Sequence, residues 1–191
     1  MNSKIFEREL TYIEDDAVRK FTETALDNLP QYFFEVAASS TGKYHPMFST
    51  GDGGLVRHTK VAAKIAYDLL TNETTGSSFK QEEKDLMIFA ILIHDGLKLG
   101  LEEEKYTKSD HPLLVCEYLK EKKSELTLKD SEINFICNAV SSHMGQWNTD
   151  YDGNEVLPKP ANKYQRFVHM ADYLSSRKYL DVKFENNEIV E

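Results

Sequence analysis

The chain has 191 residues and a formal net charge of −9, with 40% hydrophobic and 29% charged residues. This balance is typical of a globular protein, and the length suits one domain over 1–191. The negative charge argues against binding along an extended nucleic acid. The sequence has neither a signal-like segment nor an apolar run of the roughly 20 residues that span a bilayer. We therefore expect a cytoplasmic protein without a membrane partner.

The first half of the chain is predicted to be helical around one long loop. A helix is expected over 15–29, and a short apolar helix over 32–38. Residues 39–54 are rich in Ser, Thr and Gly, so they predict an ordered loop. Residues 55–70 repeat apolar side chains with the helical period, and His58 lies on or beside that apolar stripe.

Four further helices are predicted over 81–95, 110–122, 130–144 and 161–180. The helix over 81–95 is apolar all round, which indicates a buried, central position. A turn-rich loop covers 148–160, and the tail over 182–191 is compatible with a small hairpin around Asn186-Asn187. The expected fold class is therefore all-α: a helical bundle with, at most, this small hairpin.

The central helix ends in adjacent ionisable residues. The apolar residues 86–93 run directly into His94 and Asp95. A carboxylate is rarely buried without a compensating partner. This pair therefore requires a cation, a metal ion or a hydrogen-bonding cluster.

Other helices also direct ionisable side chains towards the interior. His143 lies three residues after Val140, and Asp172 lies four residues after Val168, so each is on the same helical face as the apolar residue before it. Two apolar stripes therefore end in possible ligands. His111 lies in the first turn of its predicted helix.

A single histidine of this kind is more often a hydrogen-bonded core residue than a ligand. Several together, with two carboxylates, favour a divalent ion, because a metal centre supplies the missing positive charge. Mixed imidazole and carboxylate ligands suit Mn, Fe, Co, Ni or Zn, and Mg is also compatible. The two cysteines, Cys116 and Cys137, have no zinc-type spacing and are expected to be small buried side chains.

Four segments together resemble the HD-domain metal-dependent phosphohydrolases, a family of helical bundles named for its His-Asp doublet. They are Gly-Gly-Leu-Val-Arg-His-Thr at 53–59, Ile-His-Asp-Gly-Leu-Lys at 93–98, Ser-His-Met-Gly at 142–145 and His-Met-Ala-Asp at 169–172. The resemblance covers about residues 45–178. Two positions depart from the family pattern: Gly96 comes one place early, and Met144 replaces the usual second histidine.

The resemblance implies a set of metal ligands. One ion would be held by His58, His94, Asp95 and Asp172. The additional histidines resemble the two-metal branch of the family, in which His111 and His143 would hold a second ion with Asp95 as the bridge. A one-metal site with an accessory histidine is the alternative.

The implied function is metal-dependent hydrolysis of a small nucleotide-type phosphoester by metal-activated water. Phosphodiesterase activity is slightly favoured because of His111 and His143. The alternatives are a one-metal deoxynucleotide triphosphohydrolase or nucleotidase, and a non-catalytic nucleotide-binding module. Asp95 and Lys98 are the expected catalytic residues.

Six residues are candidates for contact with the substrate. Lys98 is placed to meet a phosphate, Trp147 could stack a base, and each of the others has an ordinary structural role as its alternative. The candidates are Lys98, His169, Arg177, Lys178, His45 and Trp147. The oligomeric state is left open by the sequence.

Overall fold

The computed structural model describes residues 1–39, 42, 45–126 and 128–190. These residues form eight α-helices and one two-stranded antiparallel hairpin, so the all-α expectation, with its small hairpin, is confirmed. The helices are α1 Glu7–Leu10, α2 Asp16–Asp27, α3 Gly54–Thr71, α4 Gln81–Ile93, α5 His111–Glu121, α6 Lys123–Leu126, α7 Asp130–Val140 and α8 Lys163–Ser175, and the strands are β1 Phe184–Glu185 and β2 Glu188–Ile189.

Helix α4 is the centre of the bundle. Its residues from Met87 to Ile93 are at most 1% exposed, because apolar side chains on every face leave no face for solvent. Helices α2, α3, α7 and α8 all pack against it. The end of α4 therefore lies where the other helices can present their side chains to it.

Several helix boundaries differ from the predicted ones. The apolar segment 32–38 forms only a 3₁₀ helix, Gln31–Phe34, and a second 3₁₀ helix, Met47–Ser49, interrupts the loop over 39–54. The predicted helix over 130–144 ends at Val140, and the one over 161–180 ends at Ser175. Within the predicted loop, residues 40, 41, 43 and 44 lie outside the described residues.

Three short helical segments were not predicted at all. A 3₁₀ helix, Asn2–Phe6, leads into α1, and α6 follows α5 after a single residue. Segments of four or five residues are too short to show a helical period in the sequence. Phe6 and Leu10 nevertheless bury their side chains in the core.

The C-terminal hairpin is held against the helices by polar contacts. Asn186 and Asn187 have φ of 50° and 64°, as a two-residue hairpin turn of this hand requires. Lys60 of α3 pairs with Glu188 at 2.5 Å and with the buried Glu9 of α1 at 3.2 Å. Arg57 also donates to the side chain of Asn187. Both ends of the chain thus contact α3, the helix that carries His58.

No helix within the described part of the chain combines the length and apolar character needed to cross a membrane.

Candidate metal centre

The turn after α4 positions His94 and Asp95. The helix ends at Ile93, and the His94 Nδ1 hydrogen donates to the carbonyl of Ile91 at 2.6 Å. Gly96 packs so closely against the segment that follows α2 that an added Cβ would lie 2.8 Å from a methyl carbon of Leu29. The early glycine noted in the sequence thus lets the turn fit against Leu29.

Tyr32 stabilises the later residues of the same turn by hydrogen bonds. The Tyr32 hydroxyl donates to the carbonyl of Gly100 at 2.6 Å and accepts the backbone N–H of Leu99 at 3.1 Å. Lys98 within this turn reaches back, and its Nζ lies 2.6 Å from Oδ2 of Asp95. The lysine is thereby held at the edge of the ionisable cluster.

Helices α3 and α8 bring His58 and Asp172 to the same place. His58 Nε2 lies 3.1 Å from Oδ1 of Asp172 and 3.8 Å from Oδ2 of Asp95. The Nδ1 atom of His58 contacts the Ser175 hydroxyl at 3.2 Å, and that hydroxyl donates to the carbonyl of Asp172. One turn of α8 thus positions a carboxylate and orients the imidazole facing it.

His111 and His143 approach Asp95 from the other side. His111 opens α5 and donates from Nδ1 to the carbonyl of Lys108, whereas His143 follows the end of α7 and donates to the carbonyl of Val140. Their Nε2 atoms lie 3.0 Å and 3.6 Å from Oδ1 of Asp95. The two oxygens of Asp95 therefore face different sets of histidines, with His94 Nε2 on the Oδ2 side at 3.7 Å.

The orientation of these imidazoles provides a test of whether a metal ion fits. Three of the Nδ1 atoms face backbone carbonyls, which only accept, so their protons are on Nδ1. The proton of the Ser175 hydroxyl is already donated, so His58 Nδ1 is the donor in that pair as well. In the neutral rings every Nε2 therefore carries a lone pair that points into the cluster.

These lone pairs have few proton donors to meet. The Nε2 atoms of His111 and His143 lie only 3.1 Å apart. Nε2 of His58, Nε2 of His94 and Oδ1 of Asp95 are buried without a hydrogen-bond partner among the described residues. Converging nitrogen and oxygen lone pairs are what a divalent transition metal binds, so the residues present fit such an ion.

The pKa shifts of Asp95, His143 and His94 follow from burial and from the charges around each group. Burial disfavours the carboxylate of Asp95, but Lys98 and His94 outweigh it and hold its pKa well below the usual range. Burial lowers the pKa of His143 to about 4, so this ring is neutral at pH 7. For His94, the carboxylates of Asp95 and Asp172 outweigh burial and raise the pKa.

Three groups of residues each place their ligand atoms within 4.8 Å of one another. They include all six residues that the sequence suggested as ligands, and the groupings share members, so the cluster is continuous. They are His58, His94 and Asp95; His94, His143 and Asp172; and Asp95, His111 and His143.

A cavity of about 570 Å³ opens onto this cluster. Four of the suggested substrate-contact residues line it: His45, Lys98, Trp147 and Arg177. Burial lowers the pKa of His45 to about 4, so His45 offers a neutral ring to the cavity. The remaining lining residues are Ala38, Ser39, His58, Asp95, Thr107, Met144, Asp172, Tyr173 and Ser176.

The other two suggested contacts lie elsewhere. Lys178 is exposed and is not among the lining residues. His169 contacts the carbonyl of His143 through Nδ1 at 2.6 Å, and its ring covers Gly145, where an added Cβ would lie 2.2 Å from the ring. His169 therefore supports the segment that carries His143.

Sequence reasoning missed Tyr173, Ser175 and Ser176. All three lie within one turn of Asp172, so helical adjacency to a suspected ligand was the available signal. Thr107 and Ala38 reach the cavity from irregular segments, and no periodicity marks such positions.

Comparisons with known proteins bear on this arrangement. The family profile described as the HD domain matches residues 55–177, which include all six residues of the cluster. Comparison with curated proteins and with solved structures finds no significant match. The matched segment covers more than half of the chain and confirms the resemblance seen in the sequence. The chain therefore belongs to the HD domain family of metal-dependent phosphohydrolases.

Proposed function

We propose that this protein hydrolyses a small nucleotide-type phosphoester with the help of divalent metal ions bound at the cluster. The ligands would be His58, His94, Asp95, His111, His143 and Asp172. The observation that carries the proposal is the inward orientation of the four Nε2 lone pairs beside two carboxylates. A divalent ion bound there would supply a Lewis acid and a water molecule with a lowered pKa.

A two-ion arrangement is favoured by the geometry around Asp95. Oδ2 faces His58 and His94, whereas Oδ1 faces His111 and His143. A carboxylate whose oxygens face two groups of imidazoles can bridge two ions. Two ions suit the in-line displacement of a phosphodiester, so phosphodiesterase activity is favoured.

Within this proposal Lys98 contributes a fixed positive charge. Its side chain is 14% exposed, lines the cavity and is oriented by Asp95. It can therefore bind a non-bridging phosphate oxygen while Asp95 keeps the ammonium group in place. Burial of the cluster removes competing water from the same region and strengthens each of these contacts.

One observation favours a second candidate, a one-ion triphosphohydrolase or nucleotidase. Met144 lines the cavity next to His143 and offers no hard ligand atom. In that case Asp95 would serve a single ion, and His111 would be an accessory residue. A nucleotide-binding module without turnover would also be compatible with Met144.

A metal count combined with an activity screen would test the proposal. We expect purified protein incubated with Mn²⁺ and desalted to retain close to two ions per chain and to hydrolyse bis-p-nitrophenyl phosphate. Replacement of His111 by Gln should remove one ion and most diesterase activity. If the unmodified protein retains only one ion and the H111Q variant keeps full activity, the result would support the triphosphohydrolase. Protein with neither bound metal nor metal-dependent turnover would refute the proposal.

A further inference from the structure

The rim of the cavity carries an aromatic surface that the proposed chemistry does not require. The rings of Trp147 and Tyr173 are inclined by only 21°, with centroids 6.1 Å apart. Both residues line the cavity, yet Trp147 is 47% exposed. A large aromatic side chain left open beside a catalytic cavity is a surface on which a planar group can stack.

Arg177 holds a guanidinium beside this surface in a fixed orientation. Its Cζ atom lies 3.7 Å from the centroid of the Tyr173 ring and 5.9 Å from that of Trp147. Nε donates to the carbonyl of Tyr173 at 2.8 Å, and Nη2 donates to the Ser176 hydroxyl at 2.7 Å. Nη1 has no hydrogen-bond partner within the described ranges, so it offers free donors at the rim.

The chemistry of the rim and that of the cluster together indicate the ligand. Tyr173 follows Asp172 in α8, so the stacking surface begins next to a metal-ligand candidate. A ligand that fits both must carry a phosphoryl group close to a planar ring. Nucleotides have this combination. The net charge of −9 and the exposed Glu102, Glu103 and Glu104 disfavour a long polyanion, so a mononucleotide unit suits the rim better.

We propose that Trp147, Tyr173 and Arg177 form a base-recognition subsite that selects guanine nucleotides; this inference rests on the proposed phosphohydrolase function. The base stacks on the open face of Trp147. Arg177 donates to O6 and N7 of guanine, the acceptor pair that arginine recognises most often in nucleic acids. Cytosine offers a smaller ring, and adenine presents an amino donor where guanine presents O6.

Fluorescence can test the subsite directly, because Trp147 is the only tryptophan in the chain. The full-length protein with Mn²⁺ is titrated with GMP, AMP, CMP and ribose 5-phosphate. We expect GMP to quench the emission at roughly tenfold lower concentration than AMP or CMP, and ribose 5-phosphate to leave the emission unchanged. Equal effects of GMP and ribose 5-phosphate, or no effect of any nucleotide, would overturn the subsite.

A variant of Arg177 tests the edge recognition. Arg177→Lys keeps the charge but loses the planar fork, so the preference for GMP over AMP should fall roughly tenfold. Tyr179→Leu is the matched control, because Tyr179 is an exposed aromatic residue of the same region that does not line the cavity. An equal loss of preference in both variants would contradict the assignment to Arg177.

The outcome also distinguishes this inference from the proposed function. Quenching by GMP without any metal-dependent turnover would refute the phosphohydrolase proposal and leave the subsite standing. Turnover of bis-p-nitrophenyl phosphate with no response of Trp147 to nucleotides would do the opposite.

Discussion

Two aspartates of the central region show how differently a buried carboxylate can be satisfied. Asp85 and Asp95 are both 2% exposed. Asp85 accepts the backbone N–H groups of Glu14 and Asp15 and so fixes the start of α2. Asp95 instead has Lys98 on one oxygen and imidazole nitrogens around both. The first pattern is structural, whereas the second leaves capacity for an ion.

This contrast leads to a prediction for Asp95→Asn. The amide keeps the shape but lacks the charge needed to bridge ions, so bound Mn²⁺ and diesterase activity should fall well beyond the roughly 10–100-fold that loss of an outer partner costs. Asp85→Asn is the matched control. It should lower the melting temperature while the folded protein keeps its metal content, measured by plasma emission spectrometry. Equal metal content in the two variants would contradict the role given to Asp95.

A second residue-scale prediction concerns Ser175, which orients His58. Ser175→Ala removes the acceptor of the Nδ1 proton, so Mn²⁺ affinity should weaken about 10–100-fold. Thr22→Val is the control, because the Thr22 hydroxyl is also buried and donates to a helix carbonyl, that of Val18, but touches no histidine. Isothermal titration of both variants checks this. Unaltered affinity in S175A would show that packing alone orients His58.

At this scale the sequence predicted more of the cluster than of its surroundings. Five of the six possible ligands could be found because each lies on, continues or follows an apolar stripe, and a stripe identifies its own buried end. His111 was found from its place in the first turn of its predicted helix. Ser175 acts through a hydrogen bond between helices, and Tyr173 through the tilt of its ring. Helical adjacency to Asp172 could have placed both residues near the site, but neither the hydrogen bond nor the ring tilt has a signature in a single sequence.

At the scale of elements, the segment after α7 connects the cluster to the rim. It carries His143 and Trp147, and it turns at Gly145, whose φ is 61°. The ring of His169 covers Gly145 and contacts the carbonyl of His143. Helix α8 thus supports both the candidate ligand and the candidate stacking residue through one imidazole.

The resulting prediction compares two glycines. Gly145→Ala introduces a Cβ that would lie 2.2 Å from the His169 ring, in addition to the cost of about 1–3 kcal/mol for a positive φ. Gly153→Ala carries the same backbone cost at φ 87° but meets no atom within 4 Å. Both variants should lower the melting temperature, and only G145A should also reduce Mn²⁺ affinity and shift the Trp147 emission. Matching emission and affinity in the two variants would refute the support role of His169.

Long elements were predictable, and short or interrupted ones were not. Helices α3 and α4 show a clear period or an unbroken apolar run, and their observed bounds are close to the predicted ones. The end of α7 at Val140 was missed because the helical spacing of inward side chains continues to His143. The backbone, however, has already left the α-helix at that residue and forms a turn. The hydrophobic period of a sequence reports which side chains are buried. The side chains of a buried turn can continue that period as those of a helix do.

At the scale of the whole molecule, ion binding should be linked to stability. The candidate ligands come from α3, α5, α8 and the turns after α4 and α7, so the bound ions would together join five parts of the bundle. An ion at 100 times its dissociation constant adds about 2.7 kcal/mol, which corresponds to a shift of roughly 5–11 °C for a chain of this length.

A chelator titration followed by differential scanning calorimetry would measure this link. We expect EDTA to lower the melting temperature by several degrees and Mn²⁺ to restore it. The Asp95→Asn variant should respond to neither addition. An identical melting temperature with EDTA and with Mn²⁺ in the unmodified protein would refute the link.

The contacts of Lys60 have a consequence for the connectivity of the chain. Glu9 and Glu188 meet at its ammonium group, and Arg8 donates to the carbonyl of Ile189, so segments at opposite ends of the sequence are neighbours in space. Circular permutation should therefore be possible: a short linker joins these ends, and the chain is opened in the exposed turn over 72–75. In such a permutant α3 and α4 would no longer be consecutive in the sequence. The packing that surrounds His94 and Asp95 would be kept.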